Sequence, residues 1–127
     1  MLLLLGVDRL AELRETYGPD VANLTLKMVA RTLCGAIQSH EFIGRWSNSE
    51  FIMVLYAKPI NVMEMAVRLR TLVHESSRRV TQGKIAVTVS IGGTILQPND
   101  TEKYAVARAT LQLDASRRGG GNRVNIA

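Results

Sequence analysis

Phe42-Ile43-Gly44-Arg45-Trp46-Ser47-Asn48-Ser49-Glu50-Phe51-Ile52-Met53-Val54-Leu55-Tyr56 decides the fold. Two short strand-like runs, Phe42–Trp46 and Phe51–Tyr56, flank the small polar tetrad Ser47–Glu50, which suits a hairpin turn. Lys58-Pro59 breaks the second run. Upstream, Met1–Val7 is apolar throughout and ends at Asp8, as a strand buried on both faces would. Arg9–Tyr17 reads as a short helix, punctuated by Tyr17-Gly18-Pro19-Asp20. Asp20 is placed to cap a second helix over Val21–Ile37. There Val21, Leu24 and Met28, then Leu26, Val29, Leu33 and Ile37, make a broad apolar stripe. Downstream, Asn61–Glu75 carries Val62, Met65, Ala66, Leu69 and Val73 on one helical face. Ser76–Lys84 is polar and basic and reads as a loop. Ile85–Ile95 alternates, with Ile85, Val87, Val89 and Ile91 on one side and Ala86, Thr88 and Ser90 on the other. Asp100 or Thr101 starts a helix over Glu102–Arg118, which Gly119–Gly121 stops, and Arg123–Ile126 closes as a strand. The order β-α-α-β-β-α-β-α-β predicts an α/β (α+β) fold: one mixed five-stranded sheet flanked by helices, a ferredoxin-like or palm-type sandwich.

Composition agrees with one folded unit. The chain has 127 residues, 46% hydrophobic and 21% charged, enough for a real core in a single domain over 1–127. No apolar run approaches the roughly 18–20 residues of a membrane span. Met1–Leu5 has neither the charged flank nor the cleavage site of a secretory signal. A cytoplasmic domain without direct membrane insertion is expected, on a parent protein that could itself be tethered. The single cysteine, Cys34, excludes an internal disulfide and a multi-cysteine zinc site; lying in an apolar helical stripe, it is expected to be buried. His40 and His74 lack ligand spacing. Met28, Met53, Met63 and Met65 read as core or near-core filler. The net charge of +5 favours anionic partners, but 5% aromatics are too few for base-stacking platforms, so nucleic acid is not an expected partner.

Three stretches could carry chemistry. The first pairs Asp8, at the end of the opening strand, with Glu50 on the hairpin. Two carboxylates so placed can hold metal ions that clamp a triphosphate and activate a hydroxyl. Equally, Asp8 could cap the following helix and Glu50 could be an edge-strand charge. The second is the hairpin itself, whose small residues could let a phosphate approach backbone amides; a plain turn has the same composition. The third is Arg117-Arg118-Gly119-Gly120-Gly121-Asn122-Arg123, where basic residues complement a helix C-terminus or sit over phosphates.

Several strings in order resemble the GGDEF family, the diguanylate cyclases of bacterial cyclic di-GMP signalling. Leu2-Leu3-Leu4-Leu5-Gly6-Val7-Asp8-Arg9-Leu10 is similar to the family's opening LLLxDxDxFK. Thr16-Tyr17-Gly18 and then Leu26-Lys27, Val29-Ala30 and Leu33 resemble its TYG turn and second helix. Gly44-Arg45-Trp46 and Glu50-Phe51 resemble the signature hairpin. Val87-Thr88-Val89-Ser90-Ile91-Gly92 is very like its VTVSIG strand, and Gly120 and Asn122 match the terminal GRN. Family domains usually begin with a helix and a DxLTGLxNR segment, which this chain does not show. A single GGDEF-like domain within a longer protein is therefore expected.

The resemblance implies a palm-type nucleotidyl cyclase fold and an activity in which two GTP molecules, one on each of two domains, condense with magnesium or manganese. Position by position, it also implies losses. The first aspartate of DxD, a metal ligand, is Gly6; the second remains as Asp8. The signature GGDEF is Ser47-Asn48-Ser49-Glu50-Phe51, so Ser49 replaces a second metal-holding carboxylate, and Glu50 is retained. Side chains at Ser47 and Asn48 replace the glycines that admit the nucleotide. The guanine-reading asparagine falls at Arg14, and the later aspartate at Asn23. Phosphate-contacting lysines fall at Ala11 and Arg117, and the arginine of GRN at Gly121. The RxxD product-inhibition motif falls at Gln38-Ser39-His40-Glu41. Serine and glycine do not replace a hard anionic ligand, and losing charge-stabilising groups costs about 10²–10³ in rate each. The expectation is a catalytically inactive GGDEF domain that works as a regulatory or protein-interaction module, with no cofactor unless activity survives. Its partners would be other protein domains, as a homodimer or an attached sensor or effector. The alternative is a non-catalytic GTP- or nucleotide-sensing domain using Asp8, Asn23 and Arg117. An active cyclase is the third reading.

Overall fold

The leucine run at the start of the chain becomes the middle of the sheet. The computed structural model describes residues 1–127. Its elements are β1 (Leu2–Val7), α1 (Leu10–Tyr17), α2 (Pro19–Ala36), β2 (Phe42–Arg45), β3 (Glu50–Val54), a 3-10 turn (Pro59–Asn61), α3 (Val62–Thr81), β4 (Val89–Thr94), α4 (Glu102–Arg118) and β5 (Val124–Ile126). The sheet order is β2-β3-β1-β4-β5. All neighbours are antiparallel except β4 and β5, which run parallel.

Alternation along β1 divides the core in two. Leu3, Leu5 and Val7 point to the side of α1, α2 and α3, where they meet Leu10, Leu26, Val29, Leu33, Leu69 and Val73. Leu2 and Leu4 point to the other side, against Ala105, Ala109 and Leu113 of α4. A strand covered on both faces needs apolar residues at every position, which is why no alternation shows in its sequence.

Gly92 sets how closely α4 lies on the sheet. A Cβ there would run into the backbone of α4 at Ala109 and Leu113. Contact at the backbone itself carries the C-terminal end of α4, with Arg117, to the end of β1. Thr101 caps α4, its hydroxyl accepting from the Tyr104 amide at 3.2 Å.

Several expectations need correction. Asp20 does not cap α2; Gly18 does, and Asp20 lies in the first turn, where its charge still suits the helix dipole. Helix α3 does not stop at Glu75 but continues through Ser76 to Thr81. Ser77 is fully buried on its inward face, donating to the His74 carbonyl at 2.7 Å and accepting from the Val87 amide at 3.1 Å. A satisfied serine thus continues the buried face of α3 beyond Val73. Strand β4 starts at Val89 rather than Ile85, because the amides of Ile85 and Val87 bond to the hydroxyls of Thr81 and Ser77 instead of a neighbouring strand. Cys34 is exposed, being one position past the buried Leu33 and so turned about 100° away from it. Leu24 and Met63, 63% and 47% exposed, likewise lie outside the core that Met53 occupies.

Candidate functional site

The register of three strands builds one row of the site. Gly6 on β1 pairs with Glu50 on β3 and with Ser90 on β4. Because Gly6 has no side chain, the space above it is open to whatever α4 delivers. It delivers Arg117: a Cβ added at Gly6 would land on the Arg117 guanidinium. From that seat Arg117 Nη2 reaches Glu50 Oε2 at 2.9 Å. The other carboxylate oxygen, Oε1, accepts from the Ser47 hydroxyl at 2.7 Å. Both oxygens of Glu50 are therefore engaged by side chains of this chain.

Two residues further along β1, Asp8 is held as completely. Its Oδ1 accepts from Ser90 Oγ at 2.7 Å, and its Oδ2 from Thr88 Oγ1 at 2.7 Å and from the Asn122 amide at 2.9 Å. It does not cap α1, whose N-cap is Arg9 in the left-handed region without a side-chain bond. Instead Asp8 joins the end of β1 to β4 and to the glycine loop after α4. Gly121, at φ +76, brings that loop to the Asp8 carboxylate; a Cβ there would lie 3.1 Å from it. Glycine suits the position both for the positive φ and for the close approach.

The hairpin is closed by its own arginine. Arg45 Nε donates to the Ser47 carbonyl at 2.6 Å and its Nη2 to the Asn48 carbonyl at 2.5 Å. The guanidinium also lies 5.5 Å from the centre of the Phe51 ring, and Phe51 itself is buried in the core. Ser49 contributes a backbone carbonyl, accepting from the Val7 amide at 2.8 Å.

Asp8 and Arg117 come together with Val7, Arg9, Gly120 and Gly121 around a cavity of about 340 Å³. Asn23 does not join them; it is exposed on α2, and Arg14 is exposed on α1. Nor do Gln38–Glu41 form an ion-pairing motif: Glu41 bonds the backbone amides of Gln38 and Tyr56, each at 2.9 Å. His40 packs against Tyr56, ring centres 5.4 Å apart. No three carboxylate, imidazole or thiol groups gather as they would around a metal ion. Sequence reasoning missed Thr88 and Ser90 as partners of Asp8. The alternation of the fourth strand placed them on one side, but nothing local says what that side faces.

Known proteins share this arrangement of elements. The family described as "Diguanylate cyclase, GGDEF domain" matches residues 1–123. Diguanylate cyclase DosC of Escherichia coli (strain K12) is 26% identical over 126 residues, covering 98% of this chain and 27% of that protein. Diguanylate cyclase A of Treponema denticola is 29% identical over 128 residues, 99% of this chain and 34% of that protein. This chain thus spans about a third or less of the length of these two relatives. Among solved structures, the GGDEF domain of DgcB from Caulobacter crescentus, in complex with c-di-GMP, superposes with a TM-score of 0.88 at 27% identity, covering 98% of this chain and 75% of that one. Diguanylate cyclase SiaD from Pseudomonas aeruginosa, in complex with its activator SiaC, gives a TM-score of 0.82 at 27% identity over 99% of this chain and 49% of that one. The fold expected from the element order is that of these structures.

Proposed function

The chain belongs to the GGDEF family, the diguanylate cyclase domain of cyclic di-GMP signalling, and from that premise we propose that it keeps the fold without the reaction and serves as a regulatory, protein-interacting module. One observation carries this reading: the Arg117 guanidinium is seated on Gly6 and paired with Glu50. Gly6 and Ser49 stand where the family resemblance puts metal-holding carboxylates. A divalent cation needs several free oxygen ligands. Here Glu50 Oε1 and both oxygens of Asp8 already accept hydrogen bonds, and Glu50 Oε2 is paired with the Arg117 guanidinium. The Arg117 guanidinium, where it sits, also repels a second cation at the same spot. The residues present do not suit magnesium or manganese.

The partners of such a module are other protein domains, whether a second copy, an attached sensor or effector, or a separate protein. The domain spans 1–127, and we take it as part of a longer cytoplasmic protein. No helix is long and apolar enough to cross a membrane.

A second reading rests on the cavity that Arg9 and Arg117 border: two cations there suit a nucleotide bound without metal and without turnover. Incubating the purified chain with GTP and magnesium tests the first reading. Its expected outcome is no cyclic di-GMP above background, and repeated turnovers would refute it. Saturable, metal-independent binding of GTP or cyclic di-GMP would favour the second.

A further inference from the structure

Helices α2 and α3 leave a groove on their solvent side, remote from the Arg117–Glu50 site. It encloses about 480 Å³ and is walled by Leu24, Lys27, Met28 and Arg31 of α2 and by Arg79 and Val80 of α3, among others. Leu24 and Val80 are 63% and 69% exposed, although both are aliphatic. None of the lining residues is acidic. The only ion pairs of the chain are Arg108–Asp100 and Arg117–Glu50, so Lys27, Arg31 and Arg79 have no carboxylate partner. Three unpaired cations beside two uncovered aliphatic side chains form a surface without its complement.

We propose that this groove docks an acidic amphipathic helix of a partner protein. The proposal rests on the interaction-module reading and says where and with what chemistry the contact is made. The trough between two adjacent helices receives the side-chain ridge of a third. Leu24, Met28 and Val80 would meet the apolar stripe of that helix, at its i, i+3, i+4 and i+7 positions. Glutamates and aspartates flanking the stripe would reach Lys27, Arg31 and Arg79. Charge of this sign steers association and rejects basic partners. A single-stranded nucleic acid is held by base stacking as well as by charge, and no aromatic residue lines the groove. A bilayer surface is flat and takes up a protruding apolar face rather than a recessed one.

The test titrates the purified chain into fluorescent synthetic peptides of about 18 residues, roughly 27 Å as helices. The set carries leucines at i, i+3, i+4 and i+7 in several registers, with glutamates elsewhere. Scrambled peptides of equal composition, lysine-for-glutamate peptides, phosphatidylserine vesicles and a single-stranded oligonucleotide are the comparators. Micromolar binding of at least one patterned acidic peptide is expected, weakening as salt rises. The double substitution Arg31→Glu with Arg79→Glu should weaken it about tenfold or more, and Val80→Asp similarly. Arg31→Lys should retain it. Arg31, Arg79 and Val80 are exposed on their helices, and circular dichroism checks that each variant folds. Absence of binding, equal binding of scrambled peptides, or binding only to vesicles or the oligonucleotide would overturn the proposal. Turnover of GTP by the same preparation would instead sink the inactive-module reading and leave the groove result standing, so the two failures are distinguishable.

Discussion

Arg117 and Glu50 meet at 2.9 Å across the bare backbone of Gly6, at the point where β1, β3 and the end of α4 converge. The contact exists because two positions fit each other. Gly6 leaves the space, and α4, lying on the backbone of Gly92, brings the guanidinium to it. A positive group inside the site then balances Glu50 without any ion from solution.

That pair is solvent-accessible on the arginine side, 38% exposed against 19% for the glutamate. Its contribution to stability is therefore small, about 1 kcal/mol or less. Arg117→Ala should lower the urea midpoint only slightly, and Gly6→Ala by a similar amount, because the flexible guanidinium can swing aside. A loss several times larger in either variant would mean the pair is part of the structural core.

Asp8 behaves differently. Three donors, from β4 and from the loop after α4, converge on its carboxylate. Asp8→Asn keeps the size but turns donors against a donor, and should cost about 2 kcal/mol in equilibrium unfolding. A carboxylate retained for metal binding often sits under strain, and neutralising it then raises stability. An Asp8→Asn variant more stable than the natural chain would thus contradict the structural role.

Gly92 tests the docking of α4. Its Cβ position coincides with the α4 backbone, which cannot swing aside as a side chain can. Gly92→Ala should destabilise by about 3 kcal/mol, far more than Gly6→Ala, and should also disturb the seat of Arg117. Equal effects of the two alanines would show that α4 is loosely held.

Asp100 gives a pH signature. Arg108 holds its carboxylate through two contacts of 2.6 Å, and the Gln97 amide adds a third at 2.7 Å. The Arg108 guanidinium, chiefly by hydrogen bonding, pushes the Asp100 pKa down from 3.8 to about 2. A depressed carboxylate pKa stabilises the fold fully above the unfolded value, and this is lost as pH falls through the folded one. The stability gap between the natural chain and Asp100→Asn should be constant above about pH 4 and close toward about pH 2. A gap unchanged over that interval would refute the assignment.

The fold was legible where local pattern and tertiary role coincide. The unbroken run Leu2–Leu5 and the alternation through Val89 and Ile91 both specify their element directly, and the start of α4 falls at Thr101, one of the two residues the sequence offers for it. Legibility failed where polar side chains occupy inward positions. Ser77 and Thr81 extend α3 because their hydroxyls bond to carbonyls and amides nearby, which composition reads as a loop. Of the site, the sequence sets Gly6 and Ser49 at positions where the family resemblance implies carboxylates. It does not show that Arg117 fills the gap, because that depends on how α4 docks. Nor does it show that Asp8 is bonded to an amide 114 residues away.

In the proposed inactive module, Arg117 and the bound-up carboxylates leave no place for a metal-bound nucleotide. Calorimetric titration of the purified chain with magnesium-GTP tests this most directly. The account predicts no saturable, magnesium-dependent heat at millimolar nucleotide. Saturable binding that disappears when magnesium is removed would contradict it, since it would require Arg117 to yield its seat and Glu50 to take up the ion.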